Sequence, residues 1–309
     1  MRWKSLAALA VAGMGVTIAS GIIPRPSVAV AAPAAVAGIT LVGHGNGHGI
    51  GLSQWGAYGY AVDQGWDAWA IVDHYYGGTV HGTAPLDATV TVRLQGLDGA
   101  QTAVVAHTAD ITATAPAGTV VVAPPGTRAM VARFVPGTGY SVWASTVESC
   151  PAASDPLPGW TPVATGLANV TFATASANQA DFDQLVSTCR PYGTVRTYRG
   201  TIQAVTGTAA EIRTVNAVPV EQYLRAVVAK EMSPSWAVVG GGRGMAALQA
   251  QVIAGRSYAL SEKLSSYAMT CDSLCQTYQG AATRTSLAAA QYVAVENTLS
   301  DPAVTSTAG

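Results

Sequence analysis

The residue best placed for acid–base chemistry is Glu231, at the end of a segment with helical periodicity. The pattern predicts a helix from Pro219 to Met232, because a proline suits the first turn and Ser233-Pro234 ends the helical stretch. Its apolar stripe consists of Leu224, Val227 and Val228, and Glu231 extends it. Apolar surroundings and the negative end of a helix both disfavour a carboxylate, so we expect a pKa raised from about 4.3 toward 6, as in a general acid. The alternative is a glutamate that turns into solvent from a frayed last turn.

A second group of chemically capable residues lies in a glycine-rich segment. Glycine alternates with other residues from position 43 to 51, which excludes a helix there and lets the backbone approach a ligand closely. The next residues, Ser53, Gln54 and Trp55, supply a hydroxyl, an amide and an indole, a set that suits a sugar site. His44 and His48 have the spacing of helical metal ligands, but without a helix this spacing does not indicate coordination, so no metal site is predicted. Taken alone, the composition also fits a structural loop beneath a core tryptophan.

The elements that must position these residues follow a simple order along the chain. Short Val, Thr and Ala runs separated by Pro and Gly predict a strand-rich insert at about 86–190, with strands near residues 88–94, 118–122 and 168–172. Helices are predicted from Met245 to about Leu264 and around Thr285–Asn297, within a helical core at 219–309. Strands followed by helices predict an α+β fold, with the N-terminal Gly and aromatic segment as a loop that closes the site.

Composition limits the classes of partner. The chain has 309 residues, a net charge of −1 and 11% charged residues, and its Lys and Arg residues do not cluster. The electrostatic footprint that nucleic acids require is therefore missing, and we expect no nucleic-acid partner.

The N-terminal residues predict export. Met1-Arg2-Trp3-Lys4 is followed by an apolar run to Ile23 and by Ala29-Val30-Ala31, the three parts of a secretory signal. We therefore expect a signal peptide at 1–31 and a secreted or cell-wall protein. The alternative is a single membrane anchor, because the apolar run has nearly the length of a membrane span.

Export makes disulfides possible, and the chain has four cysteines. We favour the pairs Cys150–Cys189 and Cys271–Cys275, since each pair lies within one compositional segment. A zinc site at the second pair is the alternative, although no histidine follows Cys275.

Two blocks of sequence resemble the SpoIID/LytB family. The first block consists of Gly47-His48-Gly49-Ile50-Gly51-Leu52-Ser53-Gln54-Trp55-Gly56-Ala57 and Ile71-Val72-Asp73-His74-Tyr75-Tyr76-Gly77-Gly78-Thr79. The second follows the family's order with Val220-Glu221-Gln222-Tyr223-Leu224, Val227-Val228-Ala229-Lys230-Glu231-Met232, Arg256-Ser257-Tyr258-Ala259 and Cys275-Gln276-Thr277-Tyr278-Gln279-Gly280. The first block usually follows the second in this family, so residues 32–84 carry a permuted motif segment and 85–309 a SpoIID-like domain. Family members usually continue beyond the stretch that ends here at Gly309, which is compatible with a truncated sequence.

The resemblance implies a cell-wall protein that acts on peptidoglycan glycan strands. The family includes lytic transglycosylases of sporulation and proteins described as enhancers of wall amidases, and its catalytic glutamate corresponds to Glu231. The substrate-binding residues are then expected to be His48, Ser53, Gln54, Trp55, Tyr223, Arg256, Tyr258 and Tyr278, with no cofactor.

The number of buried acids bears on the mechanism. A glycan hydrolase needs two carboxylates that flank the scissile bond. A lytic transglycosylase can use one, because a hydroxyl of muramic acid itself acts as the nucleophile. Only Glu231 lies on an obviously apolar stripe, so the single-acid scheme is preferred, and hydrolysis would need Glu221, Asp73 or Asp67 as a second acid. The remaining alternative is a wall-binding module without catalysis that stimulates an amidase.

Overall fold

Two sheets and a group of helices make up the part of the chain that the computed structural model describes, namely residues 49–152, 157–178, 181–190, 193–206, 211–263 and 269–309. The signal peptide predicted at 1–31, His44 and His48 lie outside these residues. Within them, no helix is long and apolar enough to cross a membrane.

Strands and helices alternate little along the chain, as expected for an α+β fold. The helices are α1 (Gln54–Val62), α2 (Ala68–Tyr75), α3 (Val220–Glu231), α4 (Met245–Lys263) and α5 (Asp301–Thr305). The strands before α3 are β1 (Thr89–Arg93), β2 (Thr102–Val105), β3 (Ile111–Thr114), β4 (Val120–Val121), β5 (Ala129–Val135), β6 (Gly139–Ser145), β7 (Thr161–Leu167), β8 (Val170–Thr174), β9 (Val186–Cys189), β10 (Val195–Tyr198), β11 (Thr201–Thr206) and β12 (Ile212–Pro219). The later strands are β13 (Thr270–Cys271), β14 (Ala282–Arg284) and β15 (Val293–Ala294). The predicted α+β class and the strands expected near 88–94, 118–122 and 168–172 are confirmed.

The strand order brings distant segments to one place. One sheet has the order β13-β1-β12-β11-β8-β3-β4 and the other β15-β14-β10-β9-β2-β5-β6-β7. β1 pairs antiparallel with β12 and parallel with β13, where Arg93 lies opposite Cys271. Because β12 leads directly into α3, this arrangement puts the loop that follows β13 beside that helix.

The helices form one layer around α4. Contacts join α4 to α1, α2, α3 and α5, and small residues on its inner face, Ala247, Ala250 and Gly255, allow close approach. Most buried apolar residues of these helices and of both sheets form one core, and two smaller clusters lie beside β2 and β5. The boundaries of α3 and α4 agree with the predicted helices within a residue or two.

Two predicted elements differ in the structure. The helix expected around Thr285–Asn297 is wrong, because β15 in this stretch pairs with β14 and sheet pairing overrides the helical propensity of its alanines. The N-terminal segment was predicted as a loop, but after Gly51 it forms α1 and α2. Position 56 inside α1 requires glycine, because a side chain there would collide with the Tyr75 hydroxyl on α2.

Both predicted disulfides are present. Cys150–Cys189 has a Cα–Cα distance of 5.8 Å and Cys271–Cys275 one of 5.2 Å. The Cys271–Cys275 bond joins the two sulfur atoms that a zinc ion would have needed as thiolate ligands. No group of three or more potential metal ligands occurs among the described residues.

Candidate functional site

Glu231 is the last residue of α3, and the chain leaves the helix there for a definite reason. Met232 adopts an extended conformation, and its N–H still donates to the carbonyl of Val228. Pro234 follows two residues later and excludes a further helical turn. The side chain of Glu231 is therefore half-buried at the end of the apolar stripe, between the fully buried and the solvent-exposed alternatives.

One oxygen of the Glu231 carboxyl group is held by the loop after β13. The backbone N–H of Thr277 donates to Oε1 at 2.6 Å. This loop is fixed in turn: the N–H of Asp272 donates to the carbonyl of Arg93, and the N–H of Tyr278 donates to the carbonyl of Asp272. Among the described residues Oε2 has no hydrogen-bond partner, so a substrate that binds it displaces no protein contact.

Tyr223 and Tyr278 support this loop from below and do not reach solvent. The Tyr223 hydroxyl donates to Gln276 Oε1 at 2.9 Å, and the Tyr278 hydroxyl donates to Asn216 Oδ1 at 2.7 Å. Burial raises the pKa of both phenols, and the charge of Glu231 raises the pKa of Tyr223 further. Both side chains are fully buried, so their predicted role in substrate contact is corrected to that of loop supports.

Arg256 is likewise engaged within the protein. Its guanidinium makes a two-pronged ion pair with the Glu221 carboxylate, with both N–O distances 2.8 Å. The side chain is buried, so the predicted substrate contact is corrected to a clamp between α4 and the start of α3. Glu221 lies ten residues before Glu231, about 15 Å along the helix axis.

The other acids considered as a second catalytic group also have structural contacts. Asp67 caps the N-terminus of α2 by accepting the N–H of Ala70. Asp73 contacts His81 Nε2 at 2.8 Å.

A partly exposed aromatic cluster consists of Trp55 and Tyr58 from α1 and Trp236 from the turn after α3, with Tyr58 and Trp236 half-buried. The Trp55 and Trp236 rings lie 4.9 Å apart, and Tyr58 lies 4.7 Å from Trp236. Trp55 is 71% exposed. Because Trp236 follows Glu231 by only five residues, its Cα lies within about 18 Å of the glutamate. The cluster can therefore cover the apolar face of a sugar on a strand that reaches Glu231.

Packing at the end of α1 brings Trp55 to Trp236. Val62 lies near Gly240 and Gly244, and a side chain on Gly240 would crowd it. A side chain on Gly244 would also collide with the backbone carbonyl of Trp236. The glycine-rich turn between α3 and α4 thus allows the two aromatic segments to meet.

The remaining predicted residues have distinct positions. Ser53 is the N-cap of α1, and its Oγ accepts the N–H of Gly56 at 3.1 Å. Gln54 is half-buried in the first turn of α1. Tyr258 is 39% exposed on α4, where burial and Glu262 raise its pKa.

Sequence reasoning missed Thr277, Tyr58 and Trp236. Thr277 occupies the variable position between Gln276 and Tyr278, and it acts through its backbone, which no residue type signals. Trp236 could have been noticed as an aromatic residue just beyond the end of the helix that bears Glu231.

Residues 208–309 match the SpoIID family model, described as Stage II sporulation protein. The matched span contains α3, α4 and the loop that bears Thr277, and it confirms the family resemblance. No curated protein and no solved structure was found to be significantly similar to the chain.

Proposed function

Since the chain carries a SpoIID domain at residues 208–309, we propose that it is an exported, sporulation-related cell-wall protein that cleaves peptidoglycan glycan strands as a lytic transglycosylase. The observation that carries this proposal is the geometry of Glu231. One carboxyl oxygen is held by Thr277, the other has no hydrogen-bond partner among the described residues, and the aromatic residue Trp236 follows five residues later in the chain. The predicted signal peptide at 1–31 supports export.

The proposed reaction uses one carboxyl group twice. Protonated Glu231 donates its proton to the glycosidic oxygen, and the bond between this oxygen and the muramic acid C1 breaks. The C6 hydroxyl of the same sugar then attacks C1 and gives its proton to the Glu231 carboxylate, which regenerates the acid. Water is not consumed, and the muramic acid end becomes an internal anhydro ring.

The contacts of neighbouring acids favour this scheme over hydrolysis. Paired carboxylates of glycosidases lie roughly 5–9.5 Å apart. Glu221 is more distant along α3 and is bound to Arg256. Asp272, in the loop that holds Glu231, accepts the N–H of Gln95 and pairs with Arg190, so it is committed to structure.

A second candidate function is glycan binding without catalysis, in which the protein recruits or stimulates a wall amidase. The partly exposed cluster of Trp55, Tyr58 and Trp236 supports this alternative, because it could hold a glycan strand whether or not Glu231 acts as an acid.

Mass spectrometry of glycan products separates the possibilities. Purified wild type, Glu231→Gln and the control Glu211→Gln, which changes a carboxylate that is 56% exposed, are incubated with glycan strands. Anhydro-muramyl ends from wild type and Glu211→Gln only would support the transglycosylase. Reducing muramic acid ends would indicate a hydrolase, and retained glycan binding without any product would indicate a binding module.

A further inference from the structure

A polar cleft of about 320 Å³ adjoins the loop that holds Glu231. Its walls include Arg190 after β9, Arg196 on β10 and Thr277 from the loop. Thr277 therefore contributes to two features at once, because its backbone N–H binds Glu231 while the residue lines this cleft.

The cleft carries more guanidinium groups than its own acid can neutralise. Arg190 Nη2 donates to the Tyr198 hydroxyl at 2.7 Å and lies 3.5 Å from Asp272 Oδ2. Asp272 also accepts the N–H of Gln95. Arg196 is half-buried and has no recorded partner among the described residues. Two arginines and one aspartate line the cleft, which leaves one positive charge in excess.

An unpartnered donor points to the same conclusion. The Arg190 side chain is only 9% exposed, and its Nε is buried without a hydrogen-bond partner in the described part of the chain. Gly96 lines the cleft beside Arg190 Nη1, where a side chain would press against the guanidinium. Planar guanidinium groups recognise carboxylates through pairs of N–H donors, whereas the uncharged hydroxyls of a sugar would leave the excess charge unmatched.

We propose that this arginine cleft, between Arg190 and Arg196, binds a carboxylate of the muramyl glycan whose scissile bond lies at Glu231. The inference rests on the proposed function for the identity of the glycan. Two carboxylates of such a strand fit this chemistry: the lactyl carboxylate of a peptide-free muramic acid and the free carboxylates of a stem peptide. The subsite would set the register of the strand, because charge-assisted hydrogen bonds fix both position and orientation.

Calorimetric titration of the full chain can test the cleft separately from catalysis. Glu231→Gln protein is used as the background so that no substrate is consumed, and Arg196→Gln is added to it. The ligands are peptide-free muramyl oligosaccharides, the same oligosaccharides with stem peptides, and chitooligosaccharides, which carry no carboxylate. Arg128→Gln is the matched control, because Arg128 is 30% exposed and pairs with Asp110 outside the cleft. Thermal melting confirms that each variant is folded.

We expect Arg196→Gln to weaken binding of a carboxylate-bearing ligand about tenfold or more, and chitooligosaccharide binding less than twofold. Loss confined to the peptide-free ligand assigns the lactyl group, and loss confined to the peptide-bearing ligand assigns the stem. Equal weakening of all three ligands, or unchanged binding of both muramyl ligands, would overturn the inference. If Arg196→Gln weakens carboxylate binding selectively but wild type forms no anhydro-muramyl ends, the carboxylate subsite is supported and the transglycosylase proposal fails. If wild type forms anhydro-muramyl ends but Arg196→Gln causes no selective loss, the transglycosylase proposal is supported and the subsite fails.

Discussion

The backbone N–H of Thr277 donates to the carboxyl group of Glu231 at 2.6 Å, although the two residues are 46 positions apart. This contact depends on the parallel pairing of β1 with β13, which starts the loop, and on the Cys271–Cys275 disulfide, which closes its first turn. The candidate acid is thus oriented by a loop that the sheet and a covalent bond hold in place.

The two disulfides are therefore expected to differ in what they protect. Replacing Cys271 and Cys275 by Ser removes the restraint on the loop that bears Thr277. The rate of glycan cleavage should therefore fall strongly, while the free energy of unfolding should fall only a little. The chain-entropy relation gives about 2 kcal/mol of unfolding free energy for a bond that joins residues 4 apart and about 4 kcal/mol for residues 39 apart. The Cys150–Cys189 bond lies in the strand-rich part of the fold.

Urea unfolding and product formation per folded molecule check this pair of variants. The Cys150→Ser/Cys189→Ser protein should lose more stability and retain its cleavage rate under conditions where it is folded. An equal loss of activity in both double variants would contradict a special role for the loop.

The aromatic cluster of Trp55, Tyr58 and Trp236 should contribute to glycan binding. Trp236→Ala and Trp55→Ala each remove one face of the cluster, and we expect the dissociation constant for glycan strands to rise about two- to tenfold. Trp69→Ala is the control, because Trp69 is 41% exposed but stacks on His81, which is not a member of the cluster. Binding that responds equally to all three substitutions would argue against a defined sugar platform.

Local patterns predicted the elements that carry the site better than they predicted its contacts. The stripe of Leu224, Val227 and Val228 placed α3 and the position of Glu231 at its end correctly, because both depend on residues within one or two turns. The hydrogen bond from Thr277 could not be predicted in this way, since it requires the pairing of β13 with β1. The ring contact of Trp55 with Trp236 likewise joins residues 181 positions apart through the packing of α1 and α4.

Arg256 illustrates why side-chain roles were harder to predict than helices. An arginine on an alanine-rich helix has the chemistry of a substrate ligand, and only the crossing of α3 and α4 shows that Glu221 occupies its guanidinium. Tyr223, whose family motif had suggested a binding role, is buried against Tyr278 and donates to Gln276 in the loop after β13. Each of these corrections follows from a tertiary partner that lies outside the local segment.

The ion pair of Arg256 with Glu221 should be required for stability. The side chains are 7% and 19% exposed, so removing one partner leaves a buried charge unpaired. We expect Glu221→Gln to lower the free energy of unfolding by about 3–5 kcal/mol. Glu211→Gln removes a pair with Arg213 in which the carboxylate is 56% exposed and screened by solvent, so it should cost less than Glu221→Gln. Chemical denaturation measures both changes, and similar small losses would show that the α3–α4 clamp is unimportant.

Tyr140 and Tyr278 are both buried, but only one of their hydroxyl groups has a hydrogen-bond partner. The Tyr140 hydroxyl has no partner among the described residues, whereas the Tyr278 hydroxyl donates to Asn216 Oδ1. Tyr140→Phe should therefore be neutral or raise the free energy of unfolding by about 1 kcal/mol at pH 7, because it removes an unsatisfied polar group. Tyr278→Phe should lower it by about 1–3 kcal/mol, because the buried Asn216 oxygen loses its donor.

The same Tyr140 substitution should change the alkaline limit of stability. Burial raises the pKa of Tyr140 to about 12, above the ordinary value of 10.0. Between these values the unfolded chain releases the phenolic proton first, so this group's contribution is complete below pH 10 and is lost as the pH rises toward 12. The slope reaches about 1.4 kcal/mol per pH unit. Denaturant titrations from pH 8 to 11.5 should show that the free energy of unfolding declines less steeply in Tyr140→Phe than in wild type. Other buried phenols cause the remaining decline; one is Tyr292, because burial also raises the pKa of Tyr292 to about 12. Identical slopes in the two proteins would mean that Tyr140 does not stay protonated in the folded state.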